Sequence, residues 1–275
     1  MSEKIFGITS ITANIFHKED DTRSLLTNNI DITEESLCVI TRPECEKDTA
    51  YRHFSTYAII QDEEGKILVY PRAKGGAEER LHGMWSIGWG GHVNINNHDK
   101  ASKLAYATGT YLNALLTVAT SREIAEELFG FPEDSDDFHI QLMKLNDVNS
   151  YYAKRVVDGV SNSIDITNSI HTPFTYLFDN SNEVGKRHIA AISRHVLTAD
   201  DIAKMSITEE TKGCKWMTLS EIRANATDAA GMKFENWSKV LIDNFESLRG
   251  NYVPSSCQYG ESPFGNSVLS KYLKV

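Results

Sequence analysis

The segment "TSREIAEELFG", residues 120–130, sets three carboxylates, Glu123, Glu126 and Glu127, directly behind Arg122. On an α-helix, positions three and four apart are neighbours, so all three carboxylates would project from overlapping faces. Carboxylates that close raise one another's pKa and destabilise the helix unless cations relieve them. Arg122 compensates only part of the charge. A hard divalent ion such as Mg²⁺, which takes oxygen ligands, would neutralise the rest. A solvated acidic face is the plainer explanation of the same residues, since glutamate is common on helix surfaces.

The elements that would hold this cluster follow from periodicity. Apolar residues Leu104, Leu112, Leu115, Leu116, Ala119, Ile124 and Leu128 recur at helical spacing from about Lys100 to Phe129, with Gly109 as the point where two helices would divide. Gly130 and Pro132 end the pattern, a glycine just past a helix and a proline shortly after. Upstream, "MWSIGWGGHV" alternates Trp85, Ile87 and Trp89 with Ser86, Gly88 and Gly90, which predicts one strand whose glycines permit close backbone approach. Two β-rich runs around "DEEG", Tyr57–Gln61 and Lys66–Tyr70, predict a hairpin. "LCVITR", "FHIQLMKL", "FTYLFD" and "RHIAAISRHVL" read as further strands, and "GCKWMTLSEI" as a strand running into a short helix. "FENWSKVLIDNFESL" is an amphipathic helix with Trp237, Leu241, Phe245 and Leu248 on one stripe.

Taken together, "RLHGMWSIGWGGHV" and the helix with R-E-x-x-E-E resemble the box of Nudix hydrolases, in the branch described as predicted phosphoesterases with a longer loop before the helix. The resemblance spans roughly Leu37 to Leu248 and includes "KRHIAAI", "KWMTLSEI" and "ENWSK". It implies an α/β (α+β) fold, an α/β/α sandwich around a mixed sheet. It implies a Nudix domain over 36–250, between an N-terminal extension (1–35) and a tail (251–275) that lie outside the common core. It implies hydrolysis of a nucleoside diphosphate linked to another group, with Mg²⁺ or Mn²⁺ as cofactor. Carried over position by position, Glu126 and Glu127 are the principal metal ligands, Glu123 a further ligand or the water-activating group, and the Gly90 carbonyl the ligand without a side chain. Arg122 holds the carboxylates by ion pairing. Glu209 and Glu210, before the late tryptophan strand, occupy the region from which some relatives take a base, and Glu210 is the candidate. A homodimer is the implied assembly.

Three departures bear on substrate. Counting from Gly91, Asn97 stands where the box carries a glutamate, and 24 residues separate it from Arg122. That spacing marks 97–120 as an insertion within the box, and "EELFG" has one residue more than usual. Trp85 and Trp89 read as core before they read as base-stacking surfaces. His92 contacts phosphate or is structural, and Arg72 and Arg80 are exposed or hold a diphosphate. Ser86 has no His–Asp setting for nucleophilic catalysis. The isopentenyl diphosphate isomerase pattern needs a cysteine before a His-Pro pair, where this chain reads Gly91-His92-Val93. A non-catalytic nucleotide sensor or interaction module on the same fold is the rival that the intact R-E-x-x-E-E core argues against.

Length suits one domain with extensions or two small ones, and composition is ordinary for a soluble globular protein. The chain has 275 residues and a formal charge of −10, so it lacks the basic field of a nucleic-acid binder. Cys38, Cys45, Cys214 and Cys257 show no metal-ligand spacing. No signal peptide or apolar span is read from the sequence, so the expected location is cytoplasmic.

Overall fold

In a computed structural model, the structure describes residues 3–9, 24–28, 30, 32, 36–47, 50–72, 79–97, 101, 110–130, 139–145, 148–157, 160–165, 174–206, 212–226 and 231–248. The elements in chain order are β1 (Lys4–Thr9), β2 (Ser24–Thr27), β3 (Leu37–Thr41), α1 (Arg42–Cys45), β4 (Tyr51–Gln61), β5 (Ile67–Pro71), β6 (Trp85–Ser86), β7 (Gly88–Trp89) and α2 (Tyr111–Phe129). There follow β8 (His139–Leu145), β9 (Val148–Val157), β10 (Val160–Asp165), β11 (Thr175–Asp179), β12 (His188–Val196), α3 (Ala199–Ala203), β13 (Lys215–Met217), α4 (Leu219–Asn225) and α5 (Asn236–Asp243).

A mixed sheet runs in the order β13-β5-β4-β12-β11-β2, with β4 and β12 parallel and the remaining pairs along it antiparallel. Alternation along β4 and β5 feeds two cores. Phe54, Ala58, Ile60, Leu68 and Tyr70 pack with Leu112, Leu115, Leu116 and Ala119 of α2. Tyr57, Ile59, Ile67 and Val69 pack instead with Ile222 of α4 and with Leu241, Ile242, Phe245 and Leu248. The sheet is therefore sandwiched between helices, as the period-two and period-3.6 patterns require. Gly109 and its neighbours 102–108 lie outside the described residues, and the box helix itself begins at Tyr111, after the N-cap Thr110.

Three features differ from the sequence reading. Residues 85–90 form two short strands rather than one. Ser86 is paired with Tyr70 of β5, whereas Gly88 and Trp89 are paired with Ile59 and Ala58 of β4. The chain changes partner at Ile87, so Trp89 falls in the α2-side core while Ile87 falls in the opposite one. Within 1–35, β1 pairs with β3 and β4 and buries Ile5, Phe6 and Ile8, and β2 pairs with β11, so this segment contributes to the main sheet. Finally, β8, β9 and β10 make a separate three-stranded antiparallel sheet. Its second hairpin surrounds the sequence "VVDGV", whose Asp-Gly pair is a turn signal.

His195 on β12 is buried, with its Nε2 2.8 Å from Ser193 Oγ, and burial pulls its pKa down to about 4. The unfolded chain, with an ordinary histidine near 6.5, binds the extra proton first, so stability is full above about pH 6.5 and is lost as pH falls through about 4. The expected loss is roughly 3 kcal/mol. Urea unfolding at pH 7 and pH 4 should show that much less acid sensitivity in His195→Gln than in the native chain. Equal pH dependence in the two proteins would remove this account.

Candidate functional site

The box helix α2 is fixed at both ends. Thr110 accepts a hydrogen bond from the Asn113 amide at 3.1 Å, and Gly130 closes the helix at φ 66° with its N–H on the Ala125 carbonyl. Near its C-terminal end, Arg122 donates to Glu126 Oε2 at 2.6 Å, to Glu123 Oε1, and to the His92 carbonyl at 3.2 Å. Arg122 and Glu123 are both only 8% exposed, so this is a buried ion-pair group and not a solvated acidic face. Burying it without the guanidinium would leave charges unpaired at a cost of several kcal/mol.

The glycine segment is pressed onto these carboxylates. The Gly90 amide donates to Glu127 Oε2 at 3.1 Å. A Cβ on Gly91 would lie 2.7 Å from Glu123 Oε1, and one on Gly90, where φ is 145°, would lie 2.4 Å from the Thr56 carbonyl oxygen. The approach is held by the sheet: the Thr56 amide donates to the Gly91 carbonyl and the Val93 amide to that of Phe54. The structure thus brings together Arg122, Glu123, Glu126, Glu127 and Gly90. Glu209 and Glu210 lie outside the described residues. Asn97 is buried in a short 3₁₀ turn.

The other side of the same glycines opens on a cavity of about 130 Å³, lined among others by Arg72, Arg80, His92, His188, Glu235 and Trp237. Pockets for drug-sized ligands run to roughly 300–1,000 Å³, so a nucleotide would extend beyond this lining. None of the three box glutamates is among its lining residues; Glu123 and Glu127 abut Gly91 and Gly90, which are. Arg72 donates to the Tyr70 hydroxyl at 3.1 Å. Burial works against its charge, but Tyr70 and Glu235 more than offset that and keep it protonated. Glu235 is fixed by the Tyr57 hydroxyl at 2.8 Å and by Ser86, whose hydroxyl serves this network rather than a His–Asp arrangement. Burial, then Glu235, raises the Tyr57 pKa well above its ordinary value, so its hydroxyl stays a donor. Trp89 is fully buried against Tyr70 and has no face for a ligand. Trp85 is half-buried under the Lys215 ammonium. Trp237 lines the cavity, with its ring edge-on to those of Tyr57 and His188.

Beside the glycines lies a group that sequence reasoning missed. His53, His92 and His188 present ring nitrogens that all fall within 4.8 Å of one another, and among the described residues this is the closely spaced set of metal-ligating side chains. Burial, then neighbouring histidines and arginines, drives His53 far below the ordinary range. Burial followed by Arg42, His188 and Arg122 pulls His92 down to about 3. Both are neutral imidazoles at neutral pH. Only His92 stood out in the sequence, through its place after the double glycine. The other two are brought together by the parallel pairing of β4 and β12, which no local pattern announces.

No family model matches the chain. Protein YmaB of Bacillus subtilis (strain 168) is 25% identical over 244 residues, 89% of this chain and 94% of that protein. Among solved structures, Tm1382 superposes with a TM-score of 0.49 at 14% identity, over 89% of this chain and 99% of that one. A NUDIX hydrolase from Alicyclobacillus acidocaldarius gives 0.39 at 11%, over 72% and 92%. The MutT protein from Methanosarcina mazei Go1 gives 0.36 at 16%, over 71% and 94%. The chain resembles the Nudix hydrolase superfamily in the R-E-x-x-E-E residues of α2 and in the mixed, helix-covered sheet that holds them.

Proposed function

We propose that the protein is a metal-dependent hydrolase that cleaves a pyrophosphate bond in a nucleoside diphosphate linked to another group. The observation that carries this is the buried Arg122–Glu123–Glu126 ion-pair group pressed, together with Glu127, against a glycine segment that lines a cavity. Three carboxylates and a backbone carbonyl are the oxygen donors that Mg²⁺ or Mn²⁺ takes, and Glu123 and Glu127 already abut Gly91 and Gly90. Glu126 and Glu127 would be the principal ligands, with Glu123 and the Gly90 carbonyl completing the set. Such an ion neutralises phosphate charge and lowers the pKa of bound water.

The chain's own groups supply the rest. Arg122 fixes the rotamers of Glu123 and Glu126, so the carboxylates need little reorganisation when substrate arrives. Arg72 and Arg80 line the cavity, and in this reading they hold the diphosphate. Where it is not a ligand, Glu123 accepts the proton of the attacking water, or Glu210 does. Phosphoryl chemistry of this kind needs positioning and charge more than covalent help, which suits a site without a poised nucleophile. A homodimer working in the cytoplasm is part of this reading. No described helix is long and apolar enough to cross a membrane.

One observation favours the sensor reading: Asn97, buried where the box would carry a glutamate, supplies no carboxylate. Phosphate release, coupled to alkaline phosphatase where needed, decides between the two readings. The assay compares Mg²⁺ and Mn²⁺ on nucleoside triphosphates, ADP-ribose, NAD, sugar nucleotides and dinucleoside polyphosphates. Metal-dependent turnover of one class is the expected result. Calorimetric binding of one of these compounds without turnover of any would replace the hydrolase with the sensor.

A further inference from the structure

The three histidines are assembled by backbone register. His53 and His188 are direct Cα partners on the parallel strands β4 and β12, and His92 is brought alongside by the bridge between its own backbone and Ser55. Ring centroids lie 4.0 Å apart for His53–His188, 4.9 Å for His53–His92 and 6.1 Å for His92–His188. Two of the rings are already oriented from behind. His53 Nδ1 is 2.8 Å from Cys45 Sγ, and His188 Nδ1 is 2.7 Å from the Val184 carbonyl, a bond in which that nitrogen carries the proton. At His188 that bond fixes the tautomer and aims Nε2, and at His53, where either atom of the pair can donate, the thiol orients the ring; proteins orient metal-ligating histidines by such outer partners. His53 Nε2 is buried and has no hydrogen-bond partner among the described residues. A buried polar atom left so is destabilising unless something occupies the space before it.

A purely structural histidine cluster would satisfy its ring nitrogens within the protein, and His53 does not. We propose that His53, His92 and His188 form a three-histidine site for a borderline transition-metal ion such as Zn²⁺, with a fourth position facing the cavity that His92 and His188 line. Imidazole nitrogens select ions of this class, whereas the all-oxygen set of α2 suits Mg²⁺ or Mn²⁺, so the two sites would not compete for one metal. Three protein ligands and one open position is the form in which zinc meets water or an anionic ligand. The nitrogens, within 4.8 Å of one another, need only small side-chain movements to reach the roughly 2.0–2.1 Å of a Zn–N bond. The guanidiniums of Arg42 and Arg187 act on His53 and oppose a dication, so affinity is best read by titration.

The test is Co²⁺ titration of the full chain after chelator treatment, followed by visible absorption. One equivalent should give the ligand-field bands of a low-coordinate Co²⁺ site, which Zn²⁺ bleaches on addition. The bands should be lost in His92→Gln and in His188→Gln, both checked for an unchanged melt, and should persist in Glu126→Gln, Glu127→Gln. Inorganic phosphate added to the Co²⁺ form should shift them. No band at one equivalent, or bands that survive both histidine variants or vanish with the glutamate pair, would overturn the site. Bands indifferent to phosphate would overturn its open position.

Discussion

The paired substitution Glu126→Gln, Glu127→Gln is expected to lower metal-dependent turnover at least ~1,000-fold, about 4 kcal/mol of transition-state stabilisation, while the melting temperature moves by only a few degrees. The geometry makes this a selective change. The amide oxygen at 127 can still accept from the Gly90 N–H, and the one at 126 can still accept from Arg122. Two of the three carboxylates that would hold the ion lose their charge, yet Arg122 keeps Glu123 as a buried partner. Loss of one ion pair is offset by relief of repulsion among close carboxylates, so folding is little disturbed. Initial rates at saturating Mg²⁺, with a thermal melt of the same preparation, check both halves. A loss under tenfold in a variant that melts normally would show that these glutamates do not hold the catalytic ion.

What could be read in the sequence was whatever a short window encodes. The α2 carboxylates share a face because three- and four-residue spacing dictates it, and Gly130 marks the end of their helix locally, whereas the cap at Thr110 is seen only in the structure. The hairpin of β4 and β5 was likewise legible, from the two β-rich runs around its turn. The break at Ile87 was not legible. An alternating stretch looks the same whether it stays with one partner strand or transfers from β5 to β4. Nor was the histidine group legible, because it depends on the register of β12 against β4 and on a bridge from a third segment. The N-terminal strand β1 hides for a related reason. Its six residues carry few alternations, and its burial comes from β3 and β4, far along the chain. Local chemistry predicted the carboxylates; only tertiary pairing shows that they and the histidines flank one glycine segment.

That segment makes Gly90→Ala a substitution expected to cost about 4 kcal/mol of stability. The φ of 145° belongs to a region that side-chain-bearing residues rarely adopt. The added methyl would also sit 2.4 Å from the Thr56 carbonyl oxygen and 2.9 Å from its Oγ1. Neither neighbour can retreat cheaply, because Thr56 donates its own amide to the Gly91 carbonyl, across the same pair of strands. Gly65→Ala is the matched control. Its φ of 82° carries the dihedral penalty, but no atom lies within 4 Å of the new methyl, so only about 1 kcal/mol should be lost. Urea unfolding of the two variants separates steric overlap from backbone preference, and equal losses would refute the close approach at Gly90. Mg²⁺ titration of the Gly90 variant carries the argument to function. If the backbone is displaced from Glu127, the ion should stabilise this variant less than the native chain, so a glycine that is costly to replace is also one that seats the Glu127 carboxylate.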